Sequence, residues 1–345
     1  MCYNVKHRQI YLFFLSVLLF FSCSRDKRPS ADHIKLQLKI VRFDRDLYLA
    51  KGKAVSETDS MLSHKYDNFY QDFMSRMVGT PDLDHSYILE ELYKGKAYQD
   101  LQHEVDSVYP QLTAVENELT QAFKYIMYYY PKTHIPRFIA FVSGFAYQIP
   151  IGDAYMGIGL DMFLGRNSKF YPALIESIPR YQSRRFERAY IVPRVTEEFA
   201  RQELFPPVEE NRTLLSQMIY NGKILYFMDQ VLPETMSDTL KIGYTGRQLA
   251  WCKNFEGNIW SVFLEEDLLY KTDVQKIQVY LSDGPFTPGL GDKSESAPRL
   301  GVWTGWQIVR KYMKENPDIT LQQLMADQDA QKILIGAKYK PKVKE

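Results

Sequence analysis

The chain has 345 residues, of which 45% are hydrophobic and 25% are charged. This length and composition allow a large hydrophobic core and exclude an intrinsically disordered protein. Lysine and arginine number 43 against 42 aspartates and glutamates, and no domain-sized basic block is present, so we expect no nucleic acid partner.

The N-terminus predicts a lipoprotein signal. A cationic start at Lys6 and Arg8 is followed by the apolar residues 10–21. That run is shorter than the roughly 20 residues of a bilayer span, so a signal peptide over residues 1–22 is favoured over a membrane helix. Ser22-Cys23 then resembles a bacterial lipobox, in which the cysteine becomes the first mature residue and is acylated, for example with palmitate. Ordinary signal cleavage and an uncleaved anchor are the alternatives.

Cysteine usage limits the chemistry of the mature chain. Of the three cysteines, Cys2 leaves with the signal peptide, Cys23 carries the lipid, and Cys252 alone remains. An intramolecular disulfide framework and a cysteine-rich zinc site are therefore both excluded.

The rest of the chain predicts a predominantly helical α+β fold in one domain, residues 33–345, behind a polar tether at residues 23–32. Apolar and polar residues alternate over residues 34–40, which is typical of a half-buried strand. Helical periodicity extends over residues 56–130, and β-branched and aromatic residues indicate further strands within residues 139–160. Residues 283–298 form a long Gly/Pro/Ser-rich loop that could close over a cleft.

Residues 189–233 predict two consecutive helices, and we place the candidate site on them. On the first, Glu197–Arg201 has the i,i+4 spacing of an ion pair, as does Glu198 with the arginine four residues before it. On the second, Asn221 falls on the apolar repeat beside Gly222. A buried amide needs a partner and a mid-helix glycine costs about 1 kcal/mol, so both indicate close helix packing or a cavity.

Common catalytic motifs are absent from this helix pair. All six histidines precede residue 135, and neither a zinc-protease HExxH nor a Gly-x-Ser-x-Gly nucleophile elbow is present. We therefore predict no catalytic residue, no metal ligand set and no cofactor.

A series of short segments resembles the gliding-motility lipoprotein GldB family of Bacteroidota, in order along nearly the whole mature chain. The segments are Arg42-Phe43-Asp44, Ile191-Val192-Pro193, Met218-Ile219-Tyr220-Asn221-Gly222-Lys223, Gly243-Tyr244-Thr245, Gln248-Leu249-Ala250-Trp251-Cys252, Asn258-Ile259-Trp260, Gly284-Pro285-Phe286-Thr287 and Arg299-Leu300-Gly301-Val302-Trp303-Thr304-Gly305-Trp306-Gln307-Ile308-Val309.

That family is in turn distantly similar to predicted HExxH zinc proteases. The similarity implies a zincin-like fold in which Glu197, Arg201 and Asn221 occupy the ligand positions and Glu198 the general-base position. A guanidinium has no lone pair to donate to a metal. The resemblance therefore implies a degenerate, non-catalytic site, a pseudo-protease.

The resemblance further implies a membrane-anchored lipoprotein of the cell envelope that contacts proteins of a gliding or secretion machinery. Because residues 24–28 lack an acidic run, we expect it to face the periplasm.

Two alternatives stay open. One is a hydrolase that uses an unrecognised metal or carboxylates such as Glu198, Glu265 or Glu266. The other is a glycan- or peptide-binding protein whose cleft groups Trp303, Trp306 and the loop at residues 284–291 around Asn221. Both the leading interpretation and the binding alternative expect Asn221 to face inward, toward the first helix and the helix of the two tryptophans.

Overall fold

The computed structural model describes residues 28–208, 210, 212–290 and 296–343. The predicted signal peptide, Cys23 and the start of the predicted tether lie outside the described residues. The chain separates after His33 into an N-terminal unit and a body, Ile34–Glu345. Within the N-terminal unit, the Ser30 hydroxyl donates to the Asp32 carboxylate at 2.8 Å. Across the described ranges, no helix is long and apolar enough to cross a membrane.

Helices make up most of the body. They are α1 (Phe43–Leu49), α2 (Val55–Tyr66), α3 (Asn68–Asp72), α4 (His85–Lys94), α5 (Lys96–Val108), α6 (Thr113–Tyr129), α7 (Arg180–Ser183), α8 (Ile191–Phe199), α9 (Leu214–Val231), α10 (Asp238–Ile242), α11 (Gly246–Asn254), α12 (Glu256–Glu265), α13 (Val274–Ile277), α14 (Leu300–Glu315), α15 (Leu321–Ala326) and α16 (Ala330–Ala337). Helices α3 and α8 each continue directly into a π turn, Phe73–Met77 and Ala200–Leu204.

One small sheet accompanies the helices. Its strands are β1 (Ile40–Arg42), β2 (Arg137–Phe141), β3 (Ile151–Gly152) and β4 (Tyr155–Gly159), in the order β1-β2-β4-β3. β1, β2 and β4 are parallel, with Ile40 opposite Phe138, and β3 pairs antiparallel with β4 at the edge. The predicted predominantly helical α+β fold with a small sheet is confirmed.

The first strand differs from its prediction. The alternation over residues 34–40 is present in the burial, with Leu38 and Ile40 buried and Lys39 between them exposed, but the ladder begins only at Ile40. The reason lies in α6: Thr120 Oγ1 accepts the Leu38 N–H at 3.0 Å and Glu116 Oε1 accepts the Ile40 N–H at 3.1 Å. Side chains of α6 therefore accept backbone N–H groups that would otherwise donate to a neighbouring strand.

The sheet lies between two hydrophobic clusters, because successive side chains of a strand point to opposite faces. Phe138 of β2 faces the larger cluster and packs edge-on against Phe123 of α6 at 5.1 Å. Phe141 faces the smaller, aromatic cluster, where its ring lies 5.7 Å from that of Phe69. Because both faces are buried, the parallel strands consist mostly of consecutive apolar residues.

The larger cluster is centred on α9 and α14. Helix α9 is buried on nearly every side, as expected for a helix with apolar residues all round. Gly222 of α9 lies against Gly305 of α14, and a β-carbon on either glycine would overlap the backbone of the other helix. Close helix packing therefore accounts for the mid-helix glycine.

Candidate functional site

The candidate site begins on α8, which is held against α6. Val192, Val195 and Phe199 are buried, and the Phe199 ring lies 4.9 Å from that of Phe123. Their three- and four-residue spacing puts these side chains on one face of the helix. The apolar contacts thereby position the charged side chains of α8 at the edge of the core.

Glu197 is 6% exposed and lies between two arginines. Its Oε2 accepts from Arg194 Nη1 at 2.7 Å, and its Oε1 accepts from Arg201 Nε at 3.0 Å. Burial alone would raise the pKa of Glu197, but the positive charges of Arg194, Arg201 and Arg299 outweigh it and lower the pKa to about 2. A general base works best with a pKa near the working pH, so Glu197 is poorly suited to that role.

Glu198, for which the distant similarity to zinc proteases implied the general-base position, is also paired. Its Oε1 accepts from Arg194 Nη2 at 2.7 Å, and its Oε2 accepts from Gln202 Nε2 at 3.0 Å. The i,i+4 pairs Arg194–Glu198 and Glu197–Arg201 are both present. Arg194 thus bridges the two carboxylates of α8, through an additional i,i+3 contact to Glu197.

The π turn after α8 brings Arg201 to α9. Arg201 Nη2 donates to Asn221 Oδ1 at 2.9 Å, and Asn221 Nδ2 donates to the Gln217 carbonyl oxygen at 2.8 Å. The guanidinium also lies 5.7 Å from the centre of the Tyr220 ring. Asn221 is half-buried, and its side chain contacts the π turn that continues α8.

A cavity of about 420 Å3, here called the Asn221 cavity, opens beside this network. Its lining consists of Arg201, Pro207, Val208, Arg212, Ser216, Gln217, Tyr220 and Asn221. These side chains offer guanidinium, amide and hydroxyl groups, which suit a polar or anionic ligand better than a metal ion. Within the described ranges, no three His, Cys, Asp or Glu side chains are grouped so as to hold a metal.

The two tryptophans lie elsewhere. Trp303 and Trp306 are buried on α14, and neither is among the residues that line the Asn221 cavity. Trp306 Nε1 donates to Asp229 Oδ2 at 2.9 Å, and the Arg310 guanidinium stacks 3.7 Å from the Trp306 ring centre. Trp306 therefore lies at the α9–α14 interface, and Trp303 is buried in the larger cluster.

A charge cluster beneath Trp306 was not predicted. It joins three helices through Asp229 of α9, Asp238 and Lys241 of α10, and Arg310 of α14, and we call it the Arg310 cluster. Arg310 contacts each aspartate through two hydrogen bonds of 2.7–2.8 Å, and Lys241 Nζ lies 2.7 Å from Asp229. Asp238 and Lys241 are three residues apart on α10, but no local spacing rule connects them with Asp229 or Arg310.

The long loop begins at a different cavity, of about 400 Å3. Asp283 pairs with Arg185, and both line that cavity together with Arg194 and Arg299. The described start of the loop therefore lies at this arginine-rich cavity and does not line the Asn221 cavity. Glu265 and Glu266, the other carboxylates considered for hydrolysis, are exposed at the end of α12.

Lys223 lies one turn along α9 from Ile219 and one turn before Phe227, and all three are buried. The i,i+4 spacing of Lys223 with two apolar residues indicates that this lysine lies on a buried helix face. Lys223 was not among the predicted site residues, although this spacing is visible in the sequence.

Comparison with known proteins shows the family of this chain. No curated protein and no solved structure matches the chain. A family model described as gliding motility protein GldB matches residues 24–341, which include every helix and strand described above. A match over nearly the whole chain shows the family, so this protein belongs to the gliding motility protein GldB family.

Proposed function

We propose that this protein is a non-catalytic lipoprotein of the cell envelope, anchored through Cys23, which works through protein contacts in a gliding or secretion machinery. Membership of the GldB family supports the role in gliding. In this proposal the chain faces the periplasm, and its body is a degenerate zincin-like scaffold. The Asn221 region then serves to hold two helices together.

The observation that carries the non-catalytic part is the pairing of both α8 carboxylates. Glu197 contacts two arginines and Glu198 shares one of them, at distances of 2.7–3.0 Å. A carboxylate that abstracts protons or activates water needs a raised pKa and access to substrate. The arginines around Glu197 lower its pKa to about 2, which is the opposite of the first requirement.

A genetic complementation experiment tests this part. A strain that lacks the gene is complemented with wild type or Glu198→Gln, and expression is matched by immunoblot. We expect Glu198→Gln to restore the envelope phenotype fully, because the amide keeps a hydrogen bond to Arg194. A null phenotype at wild-type protein level would support the hydrolase alternative instead.

Two measurements on purified protein extend the test. Cross-linked envelopes should yield specific protein partners on pull-down, and the same partners should be recovered with Glu198→Gln. Elemental analysis that finds one zinc per chain would contradict the proposal.

A second candidate function, binding of an envelope glycan or peptide, is favoured by the Asn221 cavity. Its arginine, amide and hydroxyl groups could receive a ligand carboxylate. A panel of muropeptides should then raise the thermal midpoint of wild type but not of Asn221→Leu. An equal response of both proteins would count against this candidate.

A further inference from the structure

A cavity of about 330 Å3 lies on the side of α9 that carries Lys223. We call it the Lys223 cavity. Most of its wall is apolar and comes from the chain that follows α8 and from α15: Leu204, Phe205, Val208 and Met325. Small-molecule sites are concave, mostly apolar and about 300–1,000 Å3, with a few placed polar groups.

Lys223 is the charged group in this wall, and only 4% of it is exposed. Its Nζ donates to the carbonyl oxygens of Met325 at 3.2 Å and Asp327 at 2.8 Å. Within the described ranges, no carboxylate lies at ion-pair distance from it. The ammonium therefore has one N–H left over and no direct counter-charge, which is a costly arrangement for a buried cation.

The pKa of Lys223 reflects that environment. Burial lowers it to about 8, and the negative charge of Asp327 opposes the shift. At neutral pH the amine still holds its proton most of the time. A cation thus remains in the cavity wall.

Tyr130 supplies a second unused donor. Its side chain lines the same cavity, its ring packs 5.3 Å from that of Phe205, and its hydroxyl is buried without a hydrogen-bond partner among the described residues. Most buried hydroxyls in folded proteins are paired, so an unpaired one at a cavity wall suggests that a ligand completes it.

We propose that the Lys223 cavity binds a small amphiphile with one carboxylate head and a short apolar chain. The carboxylate supplies the missing counter-charge to Lys223 and accepts the Tyr130 hydroxyl. The apolar chain lies against Phe205, Leu204 and Met325. This site is separate from the α8 ion pairs and does not depend on the proposed role in a machinery.

The test uses hexanoate as the probe, because it is soluble and too short to form micelles at the concentrations needed. Full-length protein in lipid nanodiscs is titrated by calorimetry, with empty nanodiscs as the blank. We expect saturable binding of hexanoate and at least about tenfold weaker binding of hexan-1-ol, since a charge-assisted hydrogen bond is lost. Equal affinity for the acid and the alcohol would overturn the proposal, as would the absence of saturable hexanoate binding.

Variants locate the site. Lys223→Met should weaken hexanoate binding about tenfold or more, and Tyr130→Phe about threefold. Lys332→Met is the matched control: Lys332 is exposed and pairs with Asp327 at 2.8 Å, so its loss removes a nearby charge without touching the cavity. It should bind as wild type does.

Circular dichroism and the thermal midpoint check that each variant folds. If Lys223→Met does not fold, Tyr130→Phe and the comparison with hexan-1-ol still test whether hexanoate binds in the Lys223 cavity. Wild-type affinity in Tyr130→Phe, together with equal binding of hexanol, would place hexanoate elsewhere and refute the site.

Discussion

Gly305 marks a close approach of α14 to α9. A β-carbon there would overlap the carbonyl oxygen and carbonyl carbon of Met218, and backbone atoms cannot swing aside as a flexible side chain can. The opposite glycine, Gly222, has the same relation to Gly305. These two residues permit the helix contact on which the larger cluster depends.

We predict that Gly305→Ala lowers the free energy of unfolding by about 3 kcal/mol, the upper end of the usual cost of overpacking. Urea denaturation of wild type and variant measures the difference. Gly246→Ala is the control, because a β-carbon at Gly246, the first residue of α11, meets no atom within 4 Å. We expect it to change stability by less than about 0.5 kcal/mol. Similar losses in both variants would show that the α9–α14 contact is not the cause.

Asp161 is a buried carboxylate in the short helical turn after β4. Its Oδ2 accepts the N–H groups of Ser143 at 3.1 Å and Phe145 at 2.7 Å, while Oδ1 is buried without a partner in the described ranges. Burial raises the pKa of Asp161 from 3.8 to about 6, and hydrogen bonds from backbone N–H groups offset only part of this rise. The residue thus holds the turn that follows β2.

The raised pKa predicts a pH dependence of stability. The folded state binds the proton of Asp161 more tightly than the unfolded state does. This group therefore contributes stability below about pH 4, and that contribution is lost as the pH rises through about 6. Between pH 8 and pH 5, wild type should gain about 1 kcal/mol relative to Asp161→Asn, measured by urea denaturation at each pH. Parallel pH profiles of the two proteins would contradict the raised pKa.

At the scale of elements, the Arg310 cluster connects α9, α10 and α14. Arg310 has a raised pKa: burial would lower it, but hydrogen bonds and charge from Asp238 and Asp229 outweigh that effect. Bidentate arginine–carboxylate contacts are strong and directional. The cluster therefore fixes the position of the short helix α10 against the two long ones.

We predict that Arg310→Leu destabilises the protein by about 2–3 kcal/mol. This is below the usual cost of breaking a buried pair, because 29% of the arginine side chain is exposed to solvent. Lys311→Met is the control: Lys311 pairs with Glu315 one turn further along the same helix, at the surface, and should change stability by less than about 0.5 kcal/mol. Thermal and urea denaturation compare the two, and an equally small effect in both would argue against a structural role for the cluster.

At the scale of the whole molecule, Cys23 is the residue proposed to anchor the chain to a membrane. We expect Cys23→Ala to lose its acyl chains by mass spectrometry and to leave the detergent phase on phase partitioning. Cys252→Ala should remain in the detergent phase, because Cys252 is a buried thiol of the body. An uncleaved apolar anchor would instead keep Cys23→Ala with the membrane.

Much of the fold could be predicted because it depends on local periodicity. Short-range spacing predicts the two helices that carry the candidate site and the alternating burial of residues 34–40. It also predicts the ion pairs Arg194–Glu198 and Glu197–Arg201. The first strand was misplaced because its hydrogen-bond donors go to Glu116 and Thr120, more than 70 residues away. No local pattern shows that competition.

Part of the candidate site could likewise be predicted from local spacing, and part could not. Glu197, Glu198 and Arg201 were predicted as neighbours and are paired. Asn221 was predicted to face both the first helix and the helix of the two tryptophans, and its side chain contacts Arg201 in the turn that continues the first helix. Trp303 and Trp306 were expected in the same cleft, yet neither lines the Asn221 cavity, and Trp306 contacts Asp229 of α9. Gly305 lets their helix sit against Gly222, which brings Trp306 to the α9–α14 interface.

By itself, the sequence determined the α+β class, the helix pair, the short-range ion pairs and the ordered segments that mark the family, since each depends on residues close together in the chain or on their order along it. Only the tertiary structure decided the Gly222–Gly305 contact, the Arg310 cluster and the cavity that contains Lys223 and Tyr130. Those features join segments tens of residues apart, and the packing of whole helices places their side chains.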